Sequence, residues 1–206
     1  MSQQQPSFLR IGRTQRGLIT GQTGSGKTTL SRILVSGMRN LVVLDPKGEF
    51  QPGRQHRICR SPKDLSRRTD NCIVYRPAPE YLNVVDWDKV CKWIYQRGNT
   101  FVYIDEISLI AESAMQSPAY LRALYQQGRG LGIGILGATQ RPYNIPLYCI
   151  SECSKFWKFF LLMSKDRGRM AEYMGEEVDV EHSNRYSFFF YDLQERKPPT
   201  ERVLNV

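Results

Sequence analysis

The sequence predicts an α/β protein with a mainly parallel central sheet flanked by helices, and three observations carry that expectation. Short apolar runs alternate with segments whose apolar residues recur at helical spacing. The stretch Gly21-Gln22-Thr23-Gly24-Ser25-Gly26-Lys27-Thr28 fits GxxxxGK[ST] and lies between one such run and one such segment, the context that a phosphate-binding loop requires. A later run, FVYI, ends in Asp105 and Glu106, which puts two carboxylates at the end of a strand. At roughly 150 residues per domain, the 206 residues make one domain, read as residues 1–194, with residues 195–206, which include Lys197, Pro198 and Pro199, as a C-terminal tail.

Taken in order, residues 8–13 have the pattern of a short strand after a polar lead, and residues 17–20 (GLIT) form a strand entering the glycine-rich turn. From Thr28 onward Leu30, Ile33, Leu34 and Met38 share one helical face, and Gly37 with Asn40 stops the helix. Leu41–Leu44 (LVVL) is the continuous apolar run of a strand buried on both faces. Residues 46–70 read as loop, punctuated by Pro46, Gly48, Pro52, Gly53 and Pro62. Cys72–Tyr75 is the next strand, and Trp87, Val90, Cys91 and Ile94 define a second amphipathic helix, capped by Asp86 and ended by Gly98. After the strand Phe101–Ile104, Ser117 and Pro118 read as N-cap and first residue of a third helix with Leu121, Leu124 and Tyr125 on its apolar face, closed by Gly128 or Gly130. Residues 133–138 form a further strand. Residues 156–163 and 186–191 are two late strands that pair at an edge of the sheet, with a short helix over 166–174 between them.

Composition narrows the class of function. Hydrophobic residues at 41% and charged residues at 24% are those of a folded globular chain rather than a disordered or collagen-like one. The greasiest stretch, residues 156–163, is short and broken by Lys158, so no membrane span is expected, and the polar N-terminus lacks the apolar core of a secretory signal. Five cysteines without a CxxC pair are expected as reduced thiols; Cys149 and Cys153 alone would make half a zinc site. A net charge of +9 favours a polyanionic partner.

The glycine-rich segment carries the clearest chemistry. Glycines let the backbone curl until successive N–H groups face one concavity at a helix N-terminus, Lys27 reaches the β- and γ-phosphates, and the Thr28 hydroxyl, with Thr29 beside it, serves Mg²⁺. Residues Gly21, Gln22, Thr23, Gly24, Ser25, Gly26, Lys27, Thr28 and Thr29 therefore form the expected ATP site. Asp105 is the candidate second ligand to Mg²⁺, and Glu106 the general base that polarises the attacking water. Arg54, Arg57, Arg60, Lys63, Arg67 and Arg68 form one candidate patch for nucleic-acid phosphates, and Lys155, Lys158, Lys165, Arg167 and Arg169 a second, with solvated surface as the alternative for each. The aromatics Phe156, Trp157, Phe159, Phe160 and those of residues 188–191 are expected in the core or an oligomer surface.

The ordered set GQTGSGKT, LVVLDPKGEF, FVYIDE and QGRGLGIGILGATQRP, spanning about residues 17–142, resembles the FtsK/HerA superfamily of ring-forming DNA-pumping ATPases. The small size is most similar to the genome-packaging ATPases of tailless icosahedral double-stranded DNA viruses. The resemblance implies a RecA-like P-loop domain with an additional strand between the phosphate-loop strand and the acidic strand. Gln140 sits at the matching place for the polar sensor that ends this extra strand, a loop glutamine being the alternative. Arg129, in GRG, stands where the family places an arginine reaching into a neighbouring subunit's site; a helix-capping role is the alternative, and Arg122 and Arg141 are rivals. Asp45 is expected to orient groups near the metal, and Lys47 and Glu49 to be turn residues. The implied activity is ATP hydrolysis driving double-stranded DNA into a preformed capsid. The implied partners are duplex DNA, capsid vertex proteins and further copies of the chain in a hexameric or pentameric ring, in the host cytoplasm or the virion. A motor for DNA segregation, conjugation or phage assembly, a nucleotide kinase, or a noncatalytic nucleotide-gated vertex scaffold are the alternatives.

Overall fold

The structure, a computed structural model, describes residues 6–113, 115–180, 182 and 184–204. Among these residues nine strands form one sheet: β1 (Arg16–Thr20), β2 (Leu41–Leu44), β3 (Arg57–Cys59), β4 (Cys72–Tyr75), β5 (Phe101–Ile104), β6 (Gly134–Thr139), β7 (Lys155–Lys158), β8 (Ser187–Asp192) and β9 (Thr200–Val203). Their order is β3-β4-β2-β5-β6-β1-β7-β8-β9, and every neighbouring pair is parallel except β7/β8 and β8/β9. The helices are α1 (Lys27–Val35), α2 (Pro62–Ser66), α3 (Val84–Arg97), α4 (Ala119–Gln127), α5 (Tyr148–Ser151) and α6 (Ser164–Met174). β6 lies between β5 and β1, the additional strand that the resemblance implies.

Alternation along the strands produces two cores, one on each face of the sheet. Leu18, Val42, Leu44, Val102 and Ile104 pack with Trp87, Val90, Leu121 and Met170, beneath α3, α4 and α6. Ile19, Leu41, Val43 and Tyr103 pack with Leu30 and Leu34 of α1 and with Phe159, Phe188 and Leu204. Burial on both faces explains why LVVL and FVYI read as unbroken apolar runs.

Several local expectations change. Residues 8–13, expected as a strand, hold only the end of a 3-10 turn over Ser7–Leu9, because Gly12 N–H turns back to the Gln15 side chain and the chain bends before β1; the polar lead over residues 1–5 lies outside the described residues. The segment read as loop over 46–70 contains β3, which exists through pairing with β4, and α2, whose N-cap Ser61 accepts from the Asp64 N–H, with Pro62 as first helical residue. α3 starts earlier than expected: Asn83 caps it by accepting from Asp86 N–H, and Asp86 sits in the first turn. In α4 Pro118, not Ser117, is the N-cap position. Thr200–Val203, assigned to the tail, is the edge strand, because Phe188 and Phe190 need a covering partner that β9 and Leu204 supply. β7 ends at Lys158, short of residue 163, where the chain leaves the sheet for α6.

Lys155 and Lys158, offered by the sequence as part of a nucleic-acid patch, are buried because β7 is an interior strand. Lys155 pairs with Asp192 at 3.2 Å, and Lys158 Nζ donates to the Val180 carbonyl at 3.1 Å, its pKa lowered by burial to about 8. Among their former companions Arg167 pairs with Asp179 and Arg169 with Glu172. The Arg54–Arg68 cluster, in contrast, is exposed along the β3 edge, Arg57 alone approaching a carboxylate among the described residues, that of Asp70 at 3.6 Å. Phe156, Trp157, Phe159 and Phe188 are core residues, as expected. All five cysteines are buried free thiols; Cys153 Sγ donates to the Cys149 carbonyl, and burial pushes both thiols up.

Candidate nucleotide site

In a parallel sheet every strand delivers its following loop to the same edge, and that geometry assembles the site. β1, β2, β5 and β6 end side by side, each contributing the residues that follow it. The glycine-rich loop after β1 is tied to both neighbouring segments: Gly21 N–H donates to the Thr139 carbonyl at 3.2 Å and Gln22 N–H to the Phe160 carbonyl at 2.9 Å. Gly24 at φ 77° and Gly26 at φ 108° occupy the left-handed region, where a Cβ would be strained, and this is how the loop turns into α1. Lys27 Nζ closes the loop by donating to the Gln22 carbonyl at 3.0 Å.

A cleft of about 240 Å³ opens over this loop. Of the residues expected in the ATP site, Thr23, Gly24, Gly26, Lys27, Thr28 and Thr29 line it, together with Asp105 and Gln140; Gly21, Gln22 and Ser25 form the turn beneath. Burial lowers the Lys27 ammonium to about 8, against the attraction of Glu106. Asp105 is held by the Tyr103 hydroxyl, which donates to Oδ1 at 2.6 Å. Burial raises the Asp105 carboxyl, the Tyr103 hydrogen bond opposes the shift, and Asp45 adds to it. A buried carboxylate so disfavoured, beside a hydroxyl in the same cleft, is a donor set that fits a hard divalent cation.

Glu106 is buried and fully engaged. Its Oε1 accepts from Ser108 Oγ at 2.9 Å and from the Gln140 N–H at 3.3 Å, while Oε2 pairs with Lys47 Nζ at 3.1 Å. The Gln140 side-chain carbonyl accepts from Thr23 Oγ1 at 3.1 Å, so this one residue spans the phosphate loop and the acidic strand end. Its neighbour Arg141 donates to buried Asp166 at 2.8 Å, and Asp166 also accepts from Tyr143 N–H, which fastens the segment after β6 to α6.

Sequence reasoning missed the roles of five residues. Lys47 sits in the turn after β2, as expected, but from there it faces Glu106 in the cleft, and Glu49 lines the same wall. Their position just past the end of β2, in a sheet read as parallel, was the available signal. Asp45, expected to orient groups near the metal, is wholly buried against Arg76: Arg76 Nε donates to Oδ2 at 2.8 Å, and Oδ1 accepts from Glu49 N–H at 3.0 Å. This pair holds the loop carrying Lys47. Arg76→Ala leaves a buried charge without its partner, and a loss of about 3–5 kcal/mol is expected in denaturant unfolding. Arg185 and Tyr186 also line the cleft. Nothing local marks them, since their place depends on β8 running antiparallel to β7.

Arg129 is not brought to this site. It is exposed in a 3-10 turn over Gly128–Leu131, beside Thr14, Arg16, Glu152 and Ser154 at the starts of β1 and β7. The length of β1, roughly 16 Å at 3.3 Å per residue, separates it from its own phosphate loop. Of its rivals, Arg141 is engaged by Asp166 and Arg122 lies over the Tyr148 ring.

Comparison with known proteins agrees with this arrangement. Residues 9–112 match the family described as the central domain of helicase HerA. The DNA packaging ATPase P9 of Enterobacteria phage PRD1 is 27% identical over 175 residues, 81% of this chain and 72% of that protein. The genome packaging NTPase B204 of Sulfolobus turreted icosahedral virus 2, solved with AMPPCP, superposes with a TM-score of 0.77 at 15% identity, covering 95% of this chain and all (100%) of that one. The pCW3 conjugation coupling protein TcpA, solved with ATPγS, gives 0.64 at 14% identity, over 91% of this chain and 59% of that one. These structural likenesses speak for the fold. With the phosphate loop, the acidic strand end and the intervening β6 in their expected places, the chain belongs to the HerA helicase central-domain family, among the P-loop ATPases of FtsK/HerA type.

Proposed function

We propose that this chain is the ATP-hydrolysing subunit of a motor that drives double-stranded DNA into a preformed viral capsid. The observation that carries the reading is the convergence of Lys27, Thr28, Asp105, Glu106 and Gln140 on one cleft edge; the likeness to the phage PRD1 packaging ATPase supports the choice of cargo.

The loop N–H groups and Lys27 bind the triphosphate, and Glu106 takes the proton of a water that attacks the γ-phosphorus as the bond to the β–γ bridging oxygen breaks. Thr28 and Asp105 would hold Mg²⁺, which supplies charge neutralisation at the phosphate oxygens. To act as base, Glu106 must exchange its Lys47 contact for the water. Gln140, bonded to both Thr23 and Glu106, registers the γ-phosphate and passes its loss to residues 141–146, and from Arg141 through Asp166 to α6. Arg129, too far from its own loop, acts in trans on the site of a second copy in a ring, so turnover depends on assembly. The exposed Arg54–Arg68 edge supplies phosphate contacts without base readout.

The test is ATP turnover with and without duplex DNA across a salt series, on the wild type and Arg129→Ala. Wild-type turnover rises with DNA of any sequence, and the stimulation falls with salt; Arg129→Ala binds ATP but hydrolyses it about 10³-fold more slowly. A scaffold shows no turnover in either condition, a kinase requires an acceptor, and normal turnover by Arg129→Ala as an isolated subunit removes the trans assignment.

A further inference from the structure

We propose that Arg185 is a second phosphate-binding cation of the nucleotide cleft, supplied in cis by the C-terminal edge of the sheet; the inference rests on the cleft being an ATP site. Arg185 lines the cleft together with Lys27, and its Nε donates to the Gly24 carbonyl at 3.3 Å. A Cβ built on Gly24 would lie 3.4 Å from its Nη2, so the guanidinium covers the crown of the phosphate loop itself. Among the described residues no carboxylate lies within ion-pairing distance of Arg185, and its partners there are that single carbonyl and the face of Tyr186, 5.4 Å from the ring centroid. The arrangement leaves most of its five N–H donors unspent beside an open cleft. A guanidinium there finds in a polyphosphate the planar, charge-assisted partner that the protein does not provide.

The surrounding chain holds the residue in place. Just upstream, Lys158 Nζ binds the Val180 carbonyl, and His182 spans the Lys158 carbonyl and Glu201, at 3.2 and 3.1 Å, which joins the segment to β7 and β9. Just downstream, the Tyr186 carbonyl accepts from Leu204 N–H at 3.0 Å. Gly26 is packed under the same edge: a Cβ there would meet Phe159 at 3.2 Å and Tyr186 at 3.3 Å. The last strand is thus part of what aims a cation at the phosphates, and this work falls to residue 185 because Arg129 stands at the other end of the sheet.

The experiment is a binding titration of the full chain with AMPPCP, and with inorganic tripolyphosphate displacing a fluorescent ATP analogue, for wild type, Arg185→Ala, Arg185→Lys and Lys27→Ala. Arg185 is exposed, so its variants fold, which their unchanged thermal unfolding verifies. Arg185→Ala weakens both ligands equally, by about 10- to 100-fold, Arg185→Lys keeps part of the affinity, and the deficit shrinks with salt. In turnover Arg185→Ala raises KM more than it lowers kcat. Unchanged affinity in Arg185→Ala overturns the proposal, and so does weakened AMPPCP binding with intact tripolyphosphate binding, which would put the guanidinium on the nucleoside. If Lys27→Ala loses AMPPCP while Arg185→Ala retains it, only the Arg185 assignment falls; if the wild type binds neither ligand, the ATP-site reading falls with it.

Discussion

Lys27→Ala is expected to weaken ATP binding by at least about 100-fold, with the fold intact. The ammonium is buried in the cleft, donates to the Gln22 carbonyl, and is lowered to about 8 because the protein solvates it poorly. A bound triphosphate offsets that lowering, so ligand and lysine each relieve a cost the other bears. A charge-assisted contact of this sort is worth about 1.5–3 kcal/mol, and the loss of its long-range attraction for the phosphate chain adds to that. Because α1 begins at Lys27 and its buried residues Leu30, Ser31, Leu34 and Val35 are untouched, the helix persists. Calorimetric titration with AMPPCP measures the effect, and a variant that binds within threefold of wild type would show that the cleft is not a phosphate site.

Glu106→Gln should separate binding from chemistry. The amide keeps the shape and one oxygen for Ser108 and the Gln140 N–H, but it cannot accept a proton, and its NH₂ faces Lys47 in place of a carboxylate. General-base catalysis contributes about 10²–10⁴-fold, so turnover falls by about 10³-fold while AMPPCP affinity stays within a few-fold. Asp105, one residue earlier on the strand end and facing the cleft through its bond with Tyr103, is left as it was. Single-turnover hydrolysis resolves the two steps; a variant that hydrolyses at the wild-type rate would move the base elsewhere, with Glu49 the next carboxylate on the cleft wall.

The contrast between Lys27 and Arg185 shows where sequence reasoning reaches its limit. Lys27 is legible because the loop, its glycines and the following helix are contiguous, and a local pattern dictates a local conformation. The same holds for LVVL and FVYI, whose burial on both faces writes itself into the sequence as unbroken apolar runs. β3 and β9 were not legible in that way: RIC and TERV are short and partly polar, and they are strands only because β4 and β8 offer open edges to pair with. Lys155 and Lys158 were misread for the same reason, since a charge on a strand looks solvated until the neighbouring strands are in place.

The sequence by itself determined the P-loop α/β class, the loop that faces a phosphate chain, and the strand end that presents Asp105 and Glu106, because each is a short-range consequence of residue type and spacing. Only the tertiary structure decided that Lys47 holds Glu106, that Asp45 belongs to Arg76, that Arg129 stands a strand's length from its own site, and that Arg185 overlies Gly24. Those contacts join residues separated by tens of positions, and their partners are fixed by strand order and direction in the sheet, which no local spacing encodes.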